Sequence, residues 1–263
     1  MLEVNQIAVK ASNGKSLLRD MSFSLGPGQI LGLTGQSGAG KTTLIKCVMG
    51  ILDRTCRMES GSIAVDGINL SKLSAVKRRK LCGTTLGFVP QNPMTAFDSR
   101  MKVGRQMIAT FRLHLSLSLP AAQALAKEQL QAVNLTDAER VMGSYPNQLS
   151  GGMLQRVAMA ILMGLHPRYI LADEPTSALD ETNRLLVLDI LREQAKHAGV
   201  LMISHDVPGL QSLCETVMVM ESGTITETGT MKMLLEQPQQ EWTQHFAAAN
   251  HKQQKGEWEW RES

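Results

Sequence analysis

A glycine-rich segment near the N-terminus has the residue types and spacing of a phosphate-binding loop. Residues 35–42, Gly-Gln-Ser-Gly-Ala-Gly-Lys-Thr, match the pattern G-x-x-x-x-G-K-[ST] between an apolar run and a helical pattern. Such glycines let successive backbone N–H groups surround a phosphate at a helix start, whose partial positive charge favours anions. Lys41 is predicted to reach the terminal phosphates, and the Thr42 hydroxyl to ligate Mg²⁺. The nucleotide-binding residues predicted here are Gly35, Gln36, Ser37, Gly38, Ala39, Gly40, Lys41, Thr42 and Thr43.

Two adjacent carboxylates end an apolar, strand-like run farther along the chain. Asp173 and Glu174 follow Tyr-Ile-Leu-Ala at residues 169–172, as expected where a buried sheet meets a phosphate site. Asp173 is predicted to hold Mg²⁺ through water, and Glu174 to polarise the water that attacks the γ-phosphate. Taken alone, the segment leaves an alternative open, in which one of the acids only caps a helix that follows the strand.

A Ser-Gly-Gly turn upstream of these acids opens a second helical pattern. Ser150, Gly151 and Gly152 provide another helix N-terminus suited to an anion. One chain rarely needs two phosphate-binding helix starts far apart in sequence, so we expect the second one to face the nucleotide of a partner subunit. The pattern therefore predicts a dimer with ATP sandwiched between its subunits.

Short apolar runs alternate with helical patterns over most of the chain. Strands are predicted at residues 2–9, 30–34, 62–65, 86–89, 169–172, 200–204 and 216–220, and helices at residues 41–49, 151–165 and 183–198. Several of the strands are apolar throughout, which is typical of a covered parallel sheet with right-handed crossovers. Residues 93–147 show helical periodicity without a strand and predict an inserted helical subdomain.

The composition favours a folded protein and disfavours several other classes. The 263 residues carry 27 basic and 24 acidic side chains, for a formal net charge of +3, and 43% are hydrophobic. The longest apolar stretch, residues 157–165, is half of the roughly 18–20 residues that a bilayer-spanning helix needs. The basic run at residues 77–80 has no aromatic neighbours for base stacking and is interpreted as a solvated face. We therefore expect no nucleic-acid partner and no membrane-spanning segment.

Together these motifs resemble the nucleotide-binding subunits of ABC transporters over residues 2–237. Gln91 matches the glutamine loop of that family, Asp180 ends its D-loop at residues 177–180, and His205 matches its switch histidine. The resemblance implies an α/β P-loop NTPase fold of ABC type, with an N-terminal antiparallel β subdomain and an inserted α-helical subdomain. It implies ATP and Mg²⁺ as cofactors. The implied roles are catalysis for Glu174, His205 and Gln91, Mg²⁺ ligation for Thr42, Gln91 and Asp173, and contact with the partner's nucleotide for Ser150, Gly151, Gly152 and Asp180.

The resemblance also implies a division of the chain. The ATP-binding core with its β subdomain is expected at residues 1–90 and 154–236, and the helical subdomain with the Ser-Gly-Gly signature at residues 91–153. A polar C-terminal tail is expected at residues 237–263, where the three tryptophans Trp242, Trp258 and Trp260 lie in a polar context.

Within the family, residues 91–97 and the phrase Leu-Ser-Gly-Gly-Met-Leu-Gln-Arg look like the group that imports peptides, nickel and metal chelates, with the nickel importers nearest. The resemblance implies an ATPase at the cytoplasmic face of the inner membrane, bound peripherally. Its implied partners are a second ATP-binding subunit, in a heterodimer or a homodimer, two membrane permease subunits and, indirectly, an extracytoplasmic solute-binding protein. A soluble ABC ATPase in iron–sulfur cluster assembly is the alternative. Residues 8–14 depart from the family because they lack its adenine-stacking aromatic side chain.

Overall fold

The computed structural model describes residues 1–177 and 179–255, which form two sheets and ten helices among the described residues. The strands are β1 (Leu2–Ala11), β2 (Ser16–Leu25), β3 (Ile30–Gly35), β4 (Cys56–Val65), β5 (Ile68–Asn69), β6 (Leu86–Val89), β7 (Tyr169–Asp173), β8 (Gly199–Ile203), β9 (Thr216–Glu221) and β10 (Thr224–Gly229). The helices are α1 (Lys41–Met49), α2 (Ala75–Leu81), α3 (Val103–Leu115), α4 (Leu119–Ala132), α5 (Ala138–Gly143), α6 (Gly151–Leu165), α7 (Glu181–Ala195), α8 (Val207–Leu213), α9 (Met231–Glu236) and α10 (Glu241–Lys255).

The central sheet has six strands in the order β10-β9-β3-β8-β7-β6. Strand β3 pairs in parallel with β8 and β9, and β7 pairs in parallel with β6 and β8. Every residue of β7 and β8 is buried, because one face of this part of the sheet packs against α6 and α7 and the other packs against α1 and strands β1 and β2. The predicted α/β fold with a covered parallel sheet is confirmed.

A second, antiparallel sheet contains the N-terminus, with the strand order β2-β1-β4-β5. Its inner face, which includes Leu2, Val4 and Ile7, shares one core with Leu33 and Leu44 of the phosphate-loop region. The predicted N-terminal β subdomain is therefore present, and it packs directly behind the phosphate loop.

Helices α3, α4 and α5 form the helical insertion, in which α3 and α4 pack against α6, and α5 packs against α3 and α4. Helix α3 buries Val103, Met107 and Phe111, which lie one above another at four-residue spacing. The Phe111 ring lies against α6 at Gly164, where a Cβ atom would come within 2.7 Å of the ring. Helix α6 continues unbroken across the predicted division at residues 153 and 154, so the signature segment and the core share one helix.

The C-terminal segment packs more closely than its polar composition suggests. The rings of Trp242 and Phe246 stack with centroids 4.9 Å apart and an interplanar angle of 17°, and both side chains pack against the main core. Thr243 and Ala247 are buried on the same helix. Trp258 and Trp260 lie outside the described residues. Among the described residues, no helix has both the length and the apolar character needed to cross a bilayer.

Candidate active site

The phosphate loop connects β3 to α1 through two glycines that no other residue could replace without movement of the backbone. Gly35 has a φ of 141°, and a Cβ atom there would overlap the carbonyl oxygen of Met220 on β9. Gly40, the N-cap of α1, has a φ of 104°, and its Cβ would lie 2.6 Å from the Leu17 carbonyl oxygen. The backbone of each sheet therefore approaches this loop too closely for a side chain, which explains why glycine occupies these two positions.

Lys41 begins α1 and folds its ammonium group back over the loop. The side chain is 8% exposed, and its Nζ donates to the carbonyl oxygens of Gly35 at 2.7 Å and Gln36 at 3.0 Å. Burial lowers the pKa of Lys41, while the charges of Glu174 and Asp173 act in the opposite direction. The positive charge is thus held at the base of the loop, opposite the two acids.

Asp173 is the last residue of β7 and is 4% exposed. Burial raises the pKa of its carboxyl group, and a hydrogen bond with the Thr42 side chain together with the charge of Lys41 partly offsets this shift. A buried carboxylate that contacts a hydroxyl group in this way is a site that a cation would stabilise in its charged form.

Glu174, the residue after Asp173, has a φ of 48°, which is unusual for a residue other than glycine. This conformation is held by hydrogen bonds from the Glu174 N–H to the Ile203 carbonyl at 2.9 Å and from the Ser177 hydroxyl to the Glu174 carbonyl at 2.9 Å. Backbone strain of this kind costs on the order of 1–3 kcal/mol and persists where the surrounding structure fixes it. Burial also raises the pKa of the Glu174 carboxyl group.

His205 stands just beyond β8, beside the Glu174 carboxylate. Its Nε2 lies 3.5 Å from the Glu174 Oε1 atom, and the side chain is about half exposed. Burial and the charge of Lys41 lower the pKa of His205, so the imidazole is neutral near pH 7. Neither acid caps a helix, because the helix that follows β7 begins at Glu181 and is capped by Asp180.

A cavity of about 580 Å³ joins these segments at the carboxyl edge of the central sheet. Its lining residues are Ser37, Gly38, Gly40, Lys41, Thr42, Thr43, Gln91, Asp173, Glu174, Ser177, Ile203 and His205. Gly35, Gln36 and Ala39 shape the loop without lining the cavity. Sequence reasoning assigned no role at the cavity wall to Ser177, the first residue of the D-loop, or to Ile203, which lies in the strand before His205.

The Ser-Gly-Gly signature and Asp180 lie away from this cavity and next to each other. The Ser150 hydroxyl caps α6 by accepting from the Met153 N–H at 3.2 Å, and the Asp180 carboxylate caps α7 by accepting from the Asn183 N–H at 2.9 Å. A Cβ atom on Gly152 would lie 3.1 Å from the Asn183 side-chain nitrogen. The two helix starts thus form one surface of their own. Gly151 belongs to it, whereas Ala178 of the D-loop lies outside the described residues.

The donor set in the cavity suits Mg²⁺ better than a transition metal. Thr42, Gln91 and Asp173 offer hydroxyl, amide and carboxylate oxygens, the hard ligands that Mg²⁺ takes alongside water and phosphate oxygens. Within residues 1–177 and 179–255, no group of three or more His, Cys, Asp or Glu side chains could hold a metal ion. The residues present therefore fit a magnesium ion that arrives with a nucleotide.

A family model for ABC transporters matches residues 18–177 of the chain. The chain belongs to the ABC transporter family. It is 34% identical over 238 residues to the metal-staphylopine import system ATP-binding protein of Staphylococcus aureus (strain Mu50), a match that covers 90% of this chain and 88% of that protein. It is 32% identical over 255 residues to an oligopeptide transport ATP-binding protein of Lactococcus lactis subsp. cremoris, covering 95% and 75%.

The fold of this family member also matches solved structures. A bacterial ABC transporter cassette in a dimeric structure aligns with a TM-score of 0.79 at 23% identity, covering 88% of this chain and 99% of that one. The predictions of the family, of the fold and of an importer ATPase subunit are confirmed. Nothing in the names of these relatives supports the alternative role in iron–sulfur cluster assembly.

Proposed function

We propose that this ABC protein binds ATP with Mg²⁺ in the cavity at the sheet edge and hydrolyses it to drive solute uptake. The observation that carries the proposal is that one cavity gathers the phosphate loop, the acids at the end of β7, Gln91 and His205. These groups come from four separate segments of the chain. Each has the chemistry that phosphoryl transfer to water requires.

The phosphates of ATP would lie on the loop, with Lys41 exchanging its carbonyl partners for phosphate oxygens. Thr42, Asp173 and Gln91 would hold Mg²⁺, which neutralises charge on the phosphates when it is bound. Glu174 is the proposed general base, and its carboxylate takes the proton of the attacking water. From its place beside Glu174, His205 is proposed to donate the single N–H of its neutral imidazole to the γ-phosphate.

Ser150, Gly151, Gly152 and Asp180 are proposed to meet the nucleotide of a second ATP-binding subunit. Their separation from the cavity supports this role, because a surface on the same chain that cannot reach its own nucleotide can complete a partner's site. The second subunit is a different chain or a second copy of this one. Binding of ATP would close the dimer, and hydrolysis would reset it.

Two membrane permease subunits are the proposed partners on the membrane side, with an extracytoplasmic solute-binding protein acting through them. The chain would then lie peripherally on the cytoplasmic face of the inner membrane. Gln91 leads from the cavity into the helical insertion, which supports transmission of closure toward the permeases. The metal-staphylopine and oligopeptide importers among the relatives support a metal chelate or a peptide as the transported solute, and nickel is proposed from the sequence resemblance alone.

Glu174→Gln tests the hydrolytic role of the site. The substitution keeps the size and the hydrogen-bonding capacity of the side chain but removes the base, so we expect ATP to bind while turnover stops and closed dimers accumulate. The measurements are steady-state phosphate release and size-exclusion chromatography with ATP. Glu193→Gln, on the exposed face of α7, is the matched control. Hydrolysis at the parental rate by Glu174→Gln would show that Glu174 is not the base.

The membrane partners are tested separately. The tagged protein is solubilised gently from native membranes with ATP present, and co-purifying chains are identified by mass spectrometry. Two integral membrane proteins and a second ATPase are the expected result. Soluble scaffold proteins alone would contradict the importer assignment and leave the ATPase chemistry in place.

A further inference from the structure

Arg184, in the first turn of α7, is held by carboxylates on two sides. Its Nη1 donates to the Asp206 Oδ2 atom at 2.7 Å, and its Nε and Nη2 donate to the two Glu181 oxygens at 2.9 and 2.8 Å. Arg184 and Asp206 are each 21% exposed, whereas Glu181 is largely exposed. A charged pair that is shielded from water is stronger than an exposed pair, so the contact with Asp206 is the one that matters for structure.

Asp206 also stabilises the chain turn that contains His205. Its Oδ1 atom accepts from the Gly209 N–H at 3.1 Å and caps α8, while its own N–H donates to the Ser204 hydroxyl at 3.0 Å. Ser204 is fully buried at the end of β8. Asp206 therefore links three elements: its backbone N–H contacts the end of β8, and its side chain caps the start of α8 and pairs with Arg184 at the start of α7.

The same turn of α7 adjoins the signature surface, which is the surface formed by Ser150, Gly151, Gly152 and Asp180. Asn183, the residue before Arg184, donates through its side-chain nitrogen to the Asp180 Oδ2 atom at 2.6 Å. The same nitrogen would lie 3.1 Å from a Cβ atom at Gly152, so Asn183 lies beside that glycine. One helical turn thus lies beside Gly152 and contacts Asp180 through Asn183, and it contacts the turn that contains His205 through Arg184.

We propose that Arg184 is a positioning residue for ATP hydrolysis. Through its ion pair with Asp206, Arg184 positions the His205 side chain. By the same contact, a shift of the signature surface would be transmitted through the first turn of α7 to His205 in this chain's own cavity. The proposal rests on the proposed role of His205 at the γ-phosphate. Without Arg184, the Asp206 carboxylate loses its only ion-pair partner among the described residues, and the turn is free to relax.

The test uses the full chain and the variants Arg184→Gln, Asp206→Asn and the double variant. Asn caps a helix about as well as Asp, so Asp206→Asn removes the charge and keeps the cap of α8. We expect each single variant to lower kcat about tenfold with KM within about twofold, because ground-state binding on the phosphate loop is unaffected. The double variant should lose no more than either single one, since both remove the same contact.

Three further variants separate this role from a merely structural one. Arg184→Lys should recover part of kcat, because an ammonium group can still pair with Asp206. Glu181→Gln removes the other partner of the same guanidinium and should keep the parental kcat. Arg192→Gln breaks an exposed pair with Asp189, at 2.6 Å on the same helix, and should also keep it.

A parental kcat for Arg184→Gln would overturn the proposal. So would a double variant in which the two losses of kcat add, or a Glu181→Gln variant that loses as much kcat as Arg184→Gln. If Arg184→Gln does not fold, as judged by circular dichroism, Asp206→Asn and Arg184→Lys decide the question by the same criteria. Failure of the proposed function is recognised independently, because Glu174→Gln would then hydrolyse ATP at the parental rate.

Discussion

Lys41→Ala is expected to remove most of the affinity of this protein for ATP. The Lys41 ammonium group already makes two hydrogen bonds, at 2.7 and 3.0 Å, in a largely buried position, so little ordering is needed when phosphate oxygens replace the carbonyls. A hydrogen bond to a charged group contributes about 1.5–3 kcal/mol. Loss of one such bond corresponds to a rise in Kd of about 10- to 150-fold, and loss of both to more.

The assay is isothermal titration calorimetry of the purified chain with ATP and Mg²⁺. Lys46→Ala is the matched control, because Lys46 lies on the same helix but pairs with Asp53 at 3.0 Å, away from the cavity. We expect the control to keep the parental Kd. Melting temperatures of both variants without nucleotide show whether the fold is kept.

A Kd for Lys41→Ala within about threefold of the parental value, with the fold intact, would refute this reasoning, since it lies well below the loss of a single charged hydrogen bond. The phosphates would then not reach the base of the loop, and the assignment of the cavity as the nucleotide site would fail with it.

Two further predictions concern the glycines of the phosphate loop and the proposed general base, Glu174. Gly38 and Gly40 have φ values of 75° and 104°, which cost an alanine about 1–2 kcal/mol, but only a Cβ on Gly40 meets backbone, 2.6 Å from the Leu17 carbonyl oxygen. Gly40→Ala should therefore lower the Tm of the nucleotide-free protein clearly more than Gly38→Ala, and equal shifts in scanning calorimetry would contradict the close approach. Because burial raises the pKa of Glu174 and a base must be ionised, kcat should fall on the acid side with a midpoint above the pKa of ordinary glutamate. A pH–rate profile that stays flat through that range would exclude Glu174 as the base.

The parts of the fold that follow from local pattern were predictable from the sequence. Strand β7 is apolar up to Asp173, which ends it, strand β8 is apolar throughout, and α6 begins after a serine cap. Strand β10 was not predicted, because all of its residues are partly or fully exposed and its polar sequence shows no alternation. The C-terminal helix was expected to be a polar tail. Trp242 and Phe246 lie four positions apart, but this spacing alone does not indicate that they pack against the main core.

The sequence by itself determined which residues carry chemistry. The phosphate loop is contiguous, so its glycines, Lys41 and Thr42 could be identified without any knowledge of the fold. Only the tertiary structure decided which other groups stand beside it. The strand order β3-β8-β7-β6 brings His205, the two acids and Gln91 to one edge of the sheet, and it leaves the signature residues on a different surface. The pair of Arg184 with Asp206 joins residues 22 positions apart, and no local pattern predicts it, because it depends on how α7 packs against the end of β8.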